Sequence, residues 1–175
     1  MRKNILLILA SLAIISHVSG QQITDQNWSS EEDFRKDEPI VKANIIWLEN
    51  NPLATTTNDT KALTQFVLNW VSNTPYISVK YDEIFLAGLT NSKKYKFGEK
   101  FRVTYLFGKS FYVLENPKEN NEANASARGI EAMVTVYNEL KKIDPSVRNS
   151  LLEKYSRLVK KGKTQVFTRS QLSKL

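Results

Sequence analysis

The chain has 175 residues, of which 25 are Lys or Arg and 18 are Asp or Glu, with one His and no Cys. The absence of Cys excludes a disulfide, a thiolate nucleophile and a Cys-based zinc or iron–sulfur site. The one His, His17, lies in a segment that reads as a signal peptide. Without it the mature chain holds no Ser-His-Asp or Cys-His triad, no His general base and no imidazole metal site.

Met1-Arg2-Lys3-Asn4 is a short basic start, and Ile5 to Ile15 is apolar except for Ser11. Val18-Ser19-Gly20 then offers small residues at the −3 and −1 positions, which predicts cleavage between Gly20 and Gln21. The apolar run is shorter than the roughly 20 residues that span a bilayer, so no transmembrane segment is expected in the mature chain. No Cys follows it to carry an acyl anchor. A Cys-free exported chain fits a bacterial periplasm or secreted fraction.

Residues 21–175 are expected to form a single domain, large enough to bury roughly 70% of its unfolded surface without a metal or disulfide staple. They carry 23 basic and 18 acidic residues, a net of +5. Residues 21–92 hold 5 basic and 10 acidic residues, while residues 93–175 hold 18 basic and 8 acidic. This asymmetry fits either a basic face for an anionic partner or two halves that pair internally.

In chain order, Ser29 and Glu32 have capping-box spacing, and Pro39 suits the start of a new helix. Ile40, Val41, Ile45, Trp47 and Leu48 give that helix an apolar face, closed by Asn50-Asn51-Pro52. After a Thr-rich loop, a second helix is predicted from Asp59 to Ser72, with Leu63, Phe66, Val67, Trp70 and Val71 on one stripe. Trp47 and Trp70 are both expected in the core. Residues 76–115 also show strand-like alternation, at Tyr76 to Tyr81 and at Phe101, Val103, Tyr105 and Phe107. The favoured reading is a helix over 98–115, with Gly108 admitting a neighbour closely; the alternative is an α+β fold with strands within 76–115. A long helix is predicted from Glu122 to Ile143. Asp144-Pro145 is read as the N-cap and first turn of a helix that runs to Lys161 and stops at Gly162. Val147, Leu151, Leu152, Tyr155, Leu158 and Val159 form its buried stripe, opposite Lys154, Arg157, Lys160 and Lys161. A short terminal helix from Thr168 completes an all-α bundle or array of about five to seven helices.

Several segments carry a resemblance. They are Trp47-Leu48-Glu49-Asn50-Asn51-Pro52, Asn69-Trp70-Val71-Ser72 with Thr74-Pro75, Gly108 with Leu114-Glu115-Asn116-Pro117, Ala127-Arg128-Gly129-Ile130-Glu131-Ala132, and Lys161-Gly162-Lys163. Over most of residues 39–165 the chain resembles a group of small exported helical bacterial proteins. The resemblance implies a helical fold and a periplasmic or secreted address, and it brings no catalytic residues. Tyr137 to Pro145 is locally similar to the end of a tetratricopeptide helix hairpin, without the second copy that a true repeat requires.

No EF-hand, phosphate-binding loop, dinucleotide turn or nucleophile elbow is present. No cofactor, metal site or catalytic residue is therefore assigned. Nucleic acid is not an expected partner, because export separates the protein from it. The sequence sets no oligomeric state. Lys154, Arg157, Lys160 and Lys161, with Lys163 beside them, form the candidate partner surface for phosphate-bearing envelope polymers or lipid head groups. The expectation is an exported, non-enzymatic helical protein that binds a protein or an anionic envelope component. The alternative is a carboxylate-dependent hydrolase of envelope polysaccharide, drawing on Glu31-Glu32-Asp33, Asp37-Glu38 or Asp82-Glu83.

Overall fold

The computed structural model describes residues 21–54, 58–90 and 95–175. The expected signal segment and cleavage position Gly20, and residues 55–57 of the Thr-rich loop, lie outside them. The described residues form seven α-helices and no strand: α1 (Glu31–Asn50), α2 (Asn58–Asn73), α3 (Glu83–Thr90), α4 (Gly98–Glu115), α5 (Glu122–Lys141), α6 (Ser150–Lys160) and α7 (Thr164–Leu172). The all-α expectation holds, and the strand alternative for residues 76–115 does not.

Helix α1 departs from the expectation in two ways. Its N-cap is Ser30, which forms a capping box with Asp33. It then runs unbroken through Pro39, which was expected to start a separate helix. Proline inside a helix leaves the carbonyl four residues back without a donor, at about 3 kcal/mol or more. Anchors on both sides offset this. Phe34 lies before Pro39 and Val41 and Ile45 after it, all in one apolar cluster, and the Trp70 indole N–H donates to the Phe34 carbonyl at 3.1 Å.

The α2 stripe is as the periodicity predicts, with Leu63, Phe66, Val67, Trp70 and Val71 all buried. Trp47 is not in the core with Trp70; it is only partly buried. At 100° per residue it sits about 120° round α1 from the Val41–Ile45–Leu48 stripe, so its ring lies along the helix flank.

Helix α4 is central. Thr104 to Ser110 are seven consecutive buried residues, which only a helix covered on all sides allows. Phe101 and Tyr105 face a cluster shared with α3, α5 and α6. Leu106, Phe107 and Leu114 face a second cluster shared with α1 and α2. Helix α5 lies against α4 at backbone contact distance. A Cβ placed on Gly108 would meet the Ala132 Cβ at 2.7 Å and the Arg128 carbonyl oxygen at 2.8 Å. A Cβ on Gly129 would meet the Tyr105 ring at 2.7 Å and its carbonyl oxygen at 2.8 Å.

The C-terminal elements differ in detail from the expectation. Asp144 caps only a short 3-10 turn, Pro145–Val147, and Asn149 is the N-cap of α6, accepting from the Leu151 and Leu152 amides. Helix α6 ends at Gly162, whose φ of 62° suits only glycine comfortably. The Lys163 amide then closes back to the Leu158 carbonyl, and α7 starts at Thr164, four residues before Thr168.

Two stability results are expected. Gly129→Ala should lower unfolding free energy by about 1–3 kcal/mol in denaturant titration, because overpacking against backbone outweighs the gain in helix propensity. Trp70→Ala should cost about 3–5 kcal/mol and Trp47→Ala about half that or less, measured the same way.

Candidate functional site

A polar cluster gathers around Asp82, a partly buried residue that ends the segment leading into α3. Its Oδ2 accepts from the Tyr105 hydroxyl at 2.5 Å, the Lys109 ammonium at 2.7 Å and the Ser126 hydroxyl at 2.7 Å. Tyr105 and Lys109 are four residues apart on α4 and so share a face. Lys109 also donates to the Lys80 carbonyl at 3.0 Å and to the Glu122 carboxylate. Its side chain is 1% exposed. Burial tends to raise the Asp82 carboxyl, but the hydrogen bonds from Lys109, Tyr105 and Ser126 outweigh it and hold the pKa below the ordinary carboxylate value. Burial, with the bond to Asp82, pushes the Tyr105 phenol far up. A carboxylate, a lysine and a tyrosine in contact have the makings of acid–base chemistry. Here they are enclosed, and what they do is tie the 74–82 segment to α4 and α5.

A second buried ion pair joins α5 to α1. The Arg128 Nη2 donates to both Glu49 oxygens, at 3.0 and 2.8 Å. Burial raises the Glu49 carboxyl, against the opposing pull of Arg128.

The acidic clusters considered for hydrolysis are spent mostly on structure. Glu31 pairs with Arg35, Glu32 with Lys36, and Asp33 closes the capping box. Asp37 accepts from the Thr24 hydroxyl and the Trp28 indole. Glu38 accepts from Tyr76 and pairs with Lys42. Glu83 is exposed in the first turn of α3, where a carboxylate favours the helix dipole.

The candidate basic residues stand elsewhere. Lys154, Arg157, Lys160 and Lys161 are all exposed on α6 and its end, with Lys163 beyond them. Residues 154–175 contain seven cations and no carboxylate side chain. None of the seven forms a salt bridge with another described residue. Lys154 Nζ lies 4.5 Å from the centre of the Phe167 ring, the one aromatic contact in the group. The basic residues of the second half divide between internal pairing and exposure. Lys109 and Arg128 meet acidic residues of the first half, and the α6–α7 cations face solvent.

Comparison with protein families, with characterised proteins and with solved structures returned no match for this chain.

Sequence reasoning missed the Asp82–Lys109 centre. The available signal was Lys109 itself, a charge on the apolar run from Phe101 to Phe111. Removing one partner of a buried pair is costly, so Lys109→Met should destabilise by about 3–5 kcal/mol. Adding Asp82→Asn to it should cost less than the two single changes together, as a denaturant double-mutant cycle would show. Because the folded-state pKa of Asp82 is depressed, its contribution is present above its unfolded value of 3.8 and is lost as pH falls below it. Unfolding titrations between pH 5 and 2 should show that loss diminished in Lys109→Met.

Proposed function

We propose that the protein is exported after loss of residues 1–20 and is a non-enzymatic helical binding protein. Its α6–α7 surface engages an anionic, phosphate-bearing component of the cell envelope. One observation carries this reading: residues 154–175 hold seven exposed cations and no carboxylate side chain, and none of the seven forms a salt bridge with another described residue. The basic pattern of residues 1–4, the apolar run and the small residues before Gln21 support export. No helix among the described residues is long and apolar enough to cross a membrane.

The surface is also well mounted for such a role. The Tyr155 hydroxyl donates to the Phe85 carbonyl at 3.0 Å, and the Thr168 hydroxyl donates to the Ala123 carbonyl at 2.7 Å. Both helices are therefore pinned to the core from beneath, while their cations project outward. Exposed pairs return only about 0–1 kcal/mol, so little stability is forfeited by leaving these cations unpaired.

Two measurements test the reading. The intact mass of the exported protein should place its first residue at Gln21; retention of residues 1–20 would remove the export argument. The mature protein should bind vesicles containing phosphatidylglycerol, and that binding should weaken steeply as salt rises, since the Debye length falls from about 10 Å at 0.1 M to about 3 Å at 1 M. Changing Lys154, Arg157, Lys160 and Lys161 to Gln should abolish the binding and leave the melting temperature nearly unchanged, because exposed substitutions rarely exceed about 0.5 kcal/mol each. Unaltered binding in that variant would rule the surface out.

A further inference from the structure

We propose that the anionic partner of the α6–α7 surface is a lipid bilayer, and that α7 seats on it with Val166 inserted below the head groups. This rests on the reading of that surface as a site for an anionic envelope component, and it names the component's physical form.

Of the large apolar side chains exposed among the described residues, the two most exposed are Leu175, at 87%, and Val166, at 70%. Both fall within residues 154–175, the stretch that carries the cations and no carboxylate side chain. Val166 is aimed by the fold of α7. Thr164 and Thr168 are buried, and at 100° per residue Val166 stands about 160° round the helix from each, so it points away from the core. The Thr168 hydroxyl fixes that orientation by donating to the Ala123 carbonyl of α5 at 2.7 Å. Arg169, Ser170 and Ser173 are exposed on the same side, with Lys163 before the helix and Lys174 after it. Lys154 brings an α6 cation to the same helix, its ammonium 4.5 Å from the ring centre of Phe167, the residue next to Val166.

A soluble polyanion satisfies the cations but offers Val166 no apolar phase. A bilayer of anionic lipid offers both, because a helix lying in its surface reaches about 5–10 Å into the boundary between head groups and acyl chains. Clusters of Lys and Arg are drawn to such a surface collectively. Their flexible apolar stems let the charged ends stay level with the phosphates while Val166 goes deeper. The serines on that side lose far less on leaving bulk water than carboxylates would. Docking also uncovers nothing, since the other apolar residues of α7, Phe167 and Leu172, pack against the core. One valine does not hold a protein on a membrane. The cations supply the attraction, and Val166 separates a bilayer from a polymer of the same charge.

The test uses the mature full chain, vesicles of phosphatidylglycerol and phosphatidylcholine in equal parts, and long-chain inorganic polyphosphate as a soluble polyanion. Val166→Gln should weaken vesicle binding about tenfold, the scale of withdrawing one valine from an apolar phase, and leave polyphosphate binding unchanged. Val166→Leu, which keeps an apolar side chain there, should bind vesicles at least as tightly as the native chain. The chain has no Cys, so Val166→Cys takes a single environment-sensitive fluorophore. On vesicles its emission should shift to the blue and be quenched by lipids brominated on their acyl chains, and with polyphosphate it should not shift. Vesicle affinity unaltered in Val166→Gln, or a label that brominated lipid fails to quench, overturns the proposal. Binding to polyphosphate without binding to vesicles also overturns it, while the reading of the surface as an anion site stands. Binding to neither removes that reading and the proposal with it.

Discussion

Helices α4 and α5 touch backbone to backbone where Gly108 faces Ala132 and Gly129 faces Tyr105. Close-packed interiors transmit such a constraint, because no slack exists to absorb a displacement. The residues beside these glycines carry both buried ion pairs. Lys109 follows Gly108 and reaches Asp82, and Arg128 precedes Gly129 and reaches Glu49 of α1. Tyr105, whose ring lies over Gly129, sends its hydroxyl to the same Asp82. A side chain at either glycine would push the two helices apart and strain the bonds that tie α5 to the Lys109–Asp82 group, those of Glu122 and Ser126. Helix α4 contributes to the apolar clusters on both its sides, so the glycine pair sets the distance at which α5 packs on that central helix.

The same contact explains how charge is distributed. A cation taken into the interior needs a partner, since an unpaired buried charge costs several kcal/mol. Lys109 and Arg128 obtain carboxylates from the acidic first half of the chain. Each pair joins segments far apart in sequence, 27 residues in one case and 79 in the other. The α6–α7 cations are under no such requirement. They project from helices whose inner faces are filled by Leu152, Tyr155 and Thr168, and solvent hydrates them. The charge asymmetry of the sequence is thus two phenomena, an internal clamp and an external surface, which a net-charge count cannot separate.

What was legible in the sequence follows from how local the governing physics is. The α2 stripe, the buried face of α6 and the stop at Gly162 are set by helical period and backbone conformation, and all were readable. The role of Gly108 was readable as a close approach, though its partner Gly129 was not. Pro39 misled because a local penalty is overridden by Phe34, Val41 and Ile45, which lie on the same cluster. Asp144-Pro145 misled because it caps a 3-10 turn, with Asn149 better placed for α6. Helix α3 was missed, since eight residues carry too little periodicity to separate a buried helix from a strand. Lys109 reads as a flaw in an apolar helix until Asp82 is brought to it by the tertiary fold. The exposure of Lys154, Arg157, Lys160 and Lys161 was legible because it needs only the helical wheel.

An anionic partner at α6–α7 would meet fixed backbone and mobile side chains. The helices are held by Tyr155 and Thr168 and by the packing of Phe167, its ring tilted against Phe85 and Tyr155 with ring centres 6.1 and 6.0 Å away. Ordering the backbone therefore adds little to the cost of binding. The lysines are different, because each can lose up to roughly 2 kcal/mol of rotamer entropy when held in one geometry. A small anion that fixes several of them pays that cost repeatedly for one charge. An extended polyanion or a charged membrane surface does not, since it neutralises the cations collectively while leaving each side chain mobile. Its gain comes from released counterions and long-range attraction rather than from fixed contacts. A surface of unpaired lysines on a rigid platform is accordingly matched to a partner with many dispersed negative charges, and poorly matched to a single phosphate.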